Sequence, residues 1–379
     1  MRLVAAGTPA CESFLASLAA RRQGADPVVE ASVRTILEGV RTRGDAALLE
    51  YTERFDGIRQ SAEGLRVPEA EILAASATLS GPAREALALA AERISAFHRR
   101  QLRESWVAEE ATGLTGQLVR PLQRVGLYVP GGSAAYPSSV LMNALPAVVA
   151  GVEEIAVCTP TGRDGRVPAA VLAAAHLAGI REIYRVGGAQ AIGALAYGTA
   201  SIPRVDKIVG PGNVYVATAK RLVFGTVGID MVAGPSEVLI IADERAPAAW
   251  VAADLLAQAE HDPLASAVCL TPSRATAEAV QAEVVRQLEA LPRRETAAQA
   301  VREFGAVILV PDLAAAARLA NAIAPEHLEL MVADPWGLTP ALRTAGALFL
   351  GAHSPEVAGD YLAGPNHVLP TAGSARWSS

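Results

Sequence analysis

Val125-Gly126-Leu127-Tyr128-Val129-Pro130-Gly131-Gly132 is a short β-branched run that stops on a proline and two glycines. It reads as a strand ending in a tight turn. Around Arg124 the rhythm of the chain changes. Before it the pattern is helical. Ala31 to Phe55 carries apolar residues at helical spacing up to the turn signal Asp56-Gly57, and Pro82 to Trp106 predicts a second helix with proline near its start. After it, strands alternate with Ala-rich helices. The strands are predicted at 125–129, 155–158, 183–186, 207–209 and 238–241, and the helices at 139–150, 168–178, 191–197 and 214–222. The alternation continues with a helix at 247–260, a strand at 267–270, a helix at 275–291, a strand at 306–310, a helix at 313–323 and strands at 328–332 and 347–350. Such alternation implies parallel sheets covered by helices, here two α/β sheets. There is no internal repeat and no low-complexity linker.

Composition narrows the function classes. The 379 residues predict two or three domains, and 51% hydrophobic with 19% charged residues describes a well-packed protein. A net charge of −6 and 4% aromatics give no electrostatic footprint or stacking platform for nucleic acid. No membrane partner is expected either: Leu141 to Val152, interrupted by Asn143 and Pro146, is too short to span a bilayer. Cys11, Cys158 and Cys269 form no CxxC pair, and the N-terminus lacks a signal-peptide core, so the expected setting is the reduced cytoplasm. No His neighbours Cys158 or Cys269 to activate a thiolate.

Glycine and proline cluster at strand ends: 130–132, 187–188, 210–212 and 234–235. Open α/β sheets bind ligands at the carboxyl ends of their strands, so the four clusters predict one shared cleft. Gly187-Gly188-Ala189-Gln190 follows a strand and opens a helix, where backbone N–H groups can receive a phosphate or carbonyl oxygen. The full GxGxxG spacing is absent, and a plain tight turn fits locally as well. Asn213, after Gly210-Pro211-Gly212, offers a donor and an acceptor. Tyr128 can stack on or hydrogen-bond a cofactor, or be a half-buried strand tyrosine.

Gln258 and His261 stand three apart at a helix end and can face one zinc ion, although glutamine is a rare zinc ligand and spacing alone favours a structural role. Glu326-His327 after Pro325 can move protons if the backbone turns there; an exposed glutamate and a capping histidine fit equally well. Asp360 can add a carboxylate to a metal or act as a turn residue. His367 can contact substrate or satisfy its loop. His98 reads as solvated, His176 as core, and His353 as a loop residue without a role.

Taken in order, eight motifs resemble histidinol dehydrogenase. They are VGLYVPGG (125–132), VGGAQA (186–191), GPGN (210–213), AGPSEV (233–238), QAEH (258–261), PEH (325–327), AGDY (358–361) and NHVLP (366–370), and the resemblance covers nearly the whole chain. It implies oxidation of L-histidinol to L-histidine with two NAD, at the end of histidine biosynthesis. By the same resemblance Tyr128, Gln190 and Asn213 contact NAD. Gln258, His261 and Asp360 hold zinc, which anchors the substrate. Ser236 and His367 contact substrate, His327 is the base and Glu326 activates water.

The implied fold is a pair of incomplete Rossmann-like domains, one inserted in the other. A helical segment at 1–25 precedes a first α/β domain at 26–127 and 237–373, which carries the metal and catalytic residues. An inserted domain at 128–236 binds NAD. The family forms homodimers and continues past the position of Ser379 into a small domain that donates a further zinc-ligating histidine and a substrate-binding glutamate across the dimer. That domain is absent here, so the resemblance implies a zinc site short of one ligand, in a fragment or a short form. The alternatives are a paralogous NAD-dependent dehydrogenase of another small alcohol and an inactive NAD-binding homologue.

Overall fold

The computed structural model describes residues 1–21, 26–131 and 135–378; Gly132 of the first glycine cluster lies outside them. In chain order the strands are β1 (Arg2–Ala5), β2 (Trp106–Glu110), β3 (Gly113–Gln117), β4 (Arg124–Tyr128), β5 (Glu154–Thr159), β6 (Glu182–Arg185), β7 (Lys207–Val209), β8 (Gly228–Ile229), β9 (Glu237–Ala242), β10 (Ser266–Thr271), β11 (Gly305–Leu309), β12 (His327–Met331) and β13 (Ala347–Leu350). They form two parallel sheets, ordered β1-β11-β10-β9-β12-β13 and β6-β5-β4-β7-β8, and one antiparallel hairpin, β2-β3. The α/β class and both sheets are as predicted.

The chain packs as two units: 1–24, 233–358 and 369–379 form one, and 25–232 with 359–368 the other. Each is built on a doubly wound order. In the second unit β4, β5 and β6 run outward one way and β7 and β8 the other, so direction reverses between β4 and β7. In the first, β9, β10 and β11 run one way and β12 and β13 the other, with β1 added at the edge. The strands bury both faces, as parallel sheets require. Ile155 and Val157 of β5 enter one core and Ala156 and Cys158 the other. Val238 and Ile240 of β9 likewise oppose Leu239 and Ile241.

The predicted domain boundaries are corrected. A cut between 127 and 128 falls inside β4, the central strand of its sheet. Residues 26–127 belong with 128–232 because helix Pro27–Arg43 buries Val33, Leu37 and Val40 in the same core as Ala191, Ile192 and Leu195 of helix Gly188–Tyr197. Residues 1–25 are no separate helical segment either. β1 pairs in parallel with β11, and helix Pro9–Ala20 follows it, burying Cys11, Phe14 and Leu18. The single helix expected at 31–55 is two, Pro27–Arg43 and Asp45–Asp56, split at Gly44 with φ +55°. Trp106 opens the unpredicted hairpin instead of closing a helix, since helix Gly81–Arg99 stops earlier.

The packing of helix Pro27–Arg43 on helix Gly188–Tyr197 depends on Gly193. A Cβ there meets Leu37 Cδ2 at 3.2 Å and Val40 Cβ at 3.3 Å. Gly193→Leu is therefore expected to destabilise the protein by about 1–3 kcal/mol through overpacking, read as a lowered urea midpoint.

Candidate functional site

In the first unit the pairing of β9 with β12 sets the site. His327 stands opposite Val238, which brings the start of β12 beside the start of β9. The backbone turns there: Ala324 takes φ +51° as the cap of helix Leu313–Ile323, and Pro325 follows. Glu326 and His327 are both buried, so the reading of an exposed glutamate fails. Glu326 Oε2 accepts the backbone N–H of Glu237 at 3.1 Å. His327 Nδ1 lies 3.1 Å from the carbonyl oxygen of Glu237. A carbonyl only accepts, so Nδ1 carries the hydrogen, and the proton-accepting position of the neutral ring is Nε2. Glu326 Oε2 and Glu356 Oε2 each stand 3.8 Å from Nδ1.

Gln258, at the end of helix Ala248–Ala259, reaches the same cluster. Its amide is 1% exposed and lies 3.1 Å from His327 Nδ1. With the amide nitrogen turned to Glu356 it donates to Oε1 at 3.2 Å and Oε2 at 3.3 Å. A carboxylate accepts only, so Glu356 selects this orientation; the same nitrogen lies 3.1 Å from His327 Nδ1, where it makes no hydrogen bond because Nδ1 carries its own hydrogen. The amide oxygen then faces a side that presents only donors, the polarity a metal cation also offers. His261 lies beyond the helix end on an exposed turn, its backbone N–H bonded to Gln258 O at 3.2 Å. Ser236 is half-buried just before β9, its carbonyl accepting from Ser266 N at 3.0 Å. Among the described residues no three His, Cys, Asp or Glu side chains come together as a metal cluster. Asp360 and His367 lie on 359–368, which packs with the second unit.

Several acidic residues of the cluster escaped the sequence reading. Glu237, Glu329 and Glu356 are all buried, with Asp254 beside Glu329. The available signal was Glu329 itself, a charge inside the otherwise apolar strand HLELM.

The second unit holds its own polar set at the carboxyl ends of β4, β6 and β7. Tyr128 is buried rather than half-buried, and its hydroxyl accepts the N–H of Gly188 at 3.1 Å. Burial pushes its pKa up to about 12, so it is a neutral donor at physiological pH. Gln190 is 1% exposed and its buried Nε2 has no hydrogen-bond partner. Such an orphan fits a ligand acceptor arriving at this helix start. Asn213 Oδ1 caps helix Val214–Val223, accepting from Tyr215 N at 3.1 Å and Val216 N at 3.2 Å.

Gly210, at φ +117°, presses so closely on the Tyr128 carbonyl that no Cβ fits. Lys220 and Asp230 clamp this loop. Lys220 Nζ donates to Gly210 O at 2.8 Å and pairs with Asp230, which accepts Gly210 N at 2.8 Å. Burial lowers the Lys220 pKa, and Asp230 opposes that shift. Of the four glycine clusters, three follow strands of this sheet. Gly234-Pro235 instead precedes β9 in the other unit, so the expected single row of strand ends is corrected.

Two histidine assignments reverse. His98 is buried, its Nδ1 on Ile94 O at 2.8 Å, and His176 is exposed. His353 packs its ring 5.1 Å from that of Trp250. The cysteines are buried, and burial raises the thiol pKa of all three, to about 12 for Cys269. No helix among the described residues is long and apolar enough to cross a membrane.

The histidinol dehydrogenase family model matches residues 19–379. A histidinol dehydrogenase of Synechococcus sp. is 58% identical over 92% of this chain and 81% of its own length. That of Rhizobium meliloti is also 58% identical, over 97% of this chain and 84% of its own. The crystal structure of histidinol dehydrogenase from Elizabethkingia anophelis superposes with a TM-score of 0.94 at 39% identity, covering 100% of this chain and 87% of that one. The chain is thus placed among the oxidoreductases of histidine biosynthesis. It belongs to the histidinol dehydrogenase family.

Removing one partner of a buried ion pair leaves the other charge uncompensated. Lys220→Met is therefore expected to cost about 3–5 kcal/mol, measured by urea denaturation. Lys220→Met with Asp230→Leu should recover only part of that loss, because the Gly210 N–H and carbonyl lose their partners in it as well.

Proposed function

We propose that this chain oxidises L-histidinol to L-histidine through a bound aldehyde, passing one hydride to each of two NAD molecules. The observation that carries the reading is the Nδ1–H of His327 held on the Glu237 carbonyl, with the Glu326 carboxylate in the same buried cluster. That tautomer leaves Nε2 to take the alcohol proton as hydride departs. His327 passes that proton to solvent. The Glu326 carboxylate draws a proton from water as hydroxide adds to the aldehyde carbon and returns it to the former carbonyl oxygen, giving the aldehyde hydrate. His327 takes a second proton as the second hydride leaves, so each oxidation releases one hydride and one proton. No thiolate takes part.

Tyr128, Gln190 and Asn213 are the proposed NAD contacts, supported by the buried orphan amide of Gln190 beside the start of helix Gly188–Tyr197. NAD, when bound, supplies the hydride acceptor. Gln258, His261 and Asp360 are the proposed zinc ligands, and Ser236 and His367 further substrate contacts. An amide oxygen, an imidazole and a carboxylate form a donor set zinc accepts, and the buried acids around His327 favour cationic ligands. Zinc would orient the substrate's amine and imidazole. The protein is further proposed to act as a cytoplasmic homodimer.

The test is two NADH formed per histidinol consumed, with bound zinc measured on the purified protein. No turnover and no zinc would overturn the proposal. Glu326→Gln is expected to slow oxidation of histidinol to the aldehyde less than oxidation of the aldehyde to the acid, assayed by supplying each substrate separately. Equal losses in both steps would remove Glu326 from the water-activating role. Iodoacetamide at neutral pH is expected to leave turnover unchanged, because the buried thiols are protonated there.

A further inference from the structure

Glu329 lies two residues beyond His327 in β12, so both side chains leave the same face of the strand. Its register partners are Ile240 of β9 and Phe349 of β13, neither of which can balance a charge. At 1% exposure a lone carboxylate there would be costly. The side chain instead makes one specific bond: Oε1 accepts the backbone N–H of Glu356 at 2.7 Å. Asp254 of helix Ala248–Ala259 stands beside it, and burial raises both carboxyls above the usual carboxylate range, with the charge of Asp254 adding to the rise at Glu329.

We propose that Glu329 is a positioning residue: it accepts the backbone N–H of Glu356 and so fixes the Glu356 carboxylate against Gln258 and His327. The chain of contacts is short. The backbone bond anchors Glu356, whose carboxylate takes the Gln258 amide at 3.2 and 3.3 Å and stands 3.8 Å from His327 Nδ1. Without the anchor, the groups that hold the His327 ring and the Gln258 amide lose their common reference. The proposal rests on the reading of His327 as proton acceptor for its kinetic arm, and on geometry alone for its structural arm.

The protein and five variants test it. Glu329→Gln keeps an acceptor for the Glu356 N–H, so turnover within about threefold of the parent and an unmoved Glu356 carboxylate in its crystal structure are expected. Glu329→Leu removes the bond to Glu356. It should lower kcat by about tenfold or more, a fraction of what proton transfer contributes, with KM changed less and Glu356 displaced from His327. If Glu329→Leu does not fold, Asp254→Leu with Glu329→Leu takes its place, since it removes the uncompensated acid along with its partner. A purely structural pair predicts parental kcat in that double variant; the positioning role predicts a low one. Glu329→Leu in a Glu356→Gln background should cause little further loss, because both changes break one path. Parental kcat in the double variant, fully multiplicative losses with Glu356→Gln, or an unmoved Glu356 in the leucine structures would overturn the proposal. If the parent shows no histidinol turnover, the functional reading fails, and the crystallographic position of Glu356 still decides this one.

Discussion

The pairing of β12 against β9 is the constraint on which the candidate catalytic centre depends. Glu237 and Glu326 are 89 positions apart in the chain, yet the register sets His327 opposite Val238 and Glu326 beside the Glu237 backbone. The backbone of one residue, Glu237, then does two jobs. Its N–H holds the Glu326 carboxylate, and its carbonyl sets the tautomer of His327. A slip of one residue would turn every side chain of β12 to the other face. The apolar residues Leu328 and Leu330, locked in one core, oppose that slip and so maintain the chemistry of their polar neighbours.

Each unit reverses strand order at one place, and the polar residues gather at that reversal. In the second unit Tyr128 and Gly210 lie at the carboxyl ends of β4 and β7, where the general rule for open sheets puts a ligand. In the first unit the residues gather at the amino ends of β9 and β12. There the site is built from buried acids rather than from glycine loops and helix starts. The two regions accordingly offer different chemistry, one shaped for neutral and anionic groups and the other for cations.

Much of the fold was legible because a parallel α/β chain announces itself by its alternation. β7, β13 and helix Leu313–Ile323 fall on their predicted residues. The assignment of the first hundred residues was not legible, because an amphipathic helix such as Pro27–Arg43 shows that it buries a face without showing against what. The zinc and proton-transfer candidates were visible as motifs, but spacing alone could not choose between ligand and turn. The acids Glu329 and Asp254 were less visible still, since they come together only where a strand meets a helix far apart in sequence. His98 and His176 show the same limit, for their helical pattern did not reveal which one faces inward.

β1 and its sheet partner β11 are made far apart in time. β1 lies at the edge of its sheet against β11, Arg2 opposite Ala306. On the ribosome, at roughly 5–20 residues per second, this partner arrives on the order of tens of seconds after β1 emerges. Over that interval the bulk of the second unit, whose residues lie between, is complete and free to fold. The N-terminal strand meanwhile remains an unpaired edge, exposed to any competing strand until β11 is delivered. The connectivity thus separates the two halves of one strand pair by the synthesis of most of the chain.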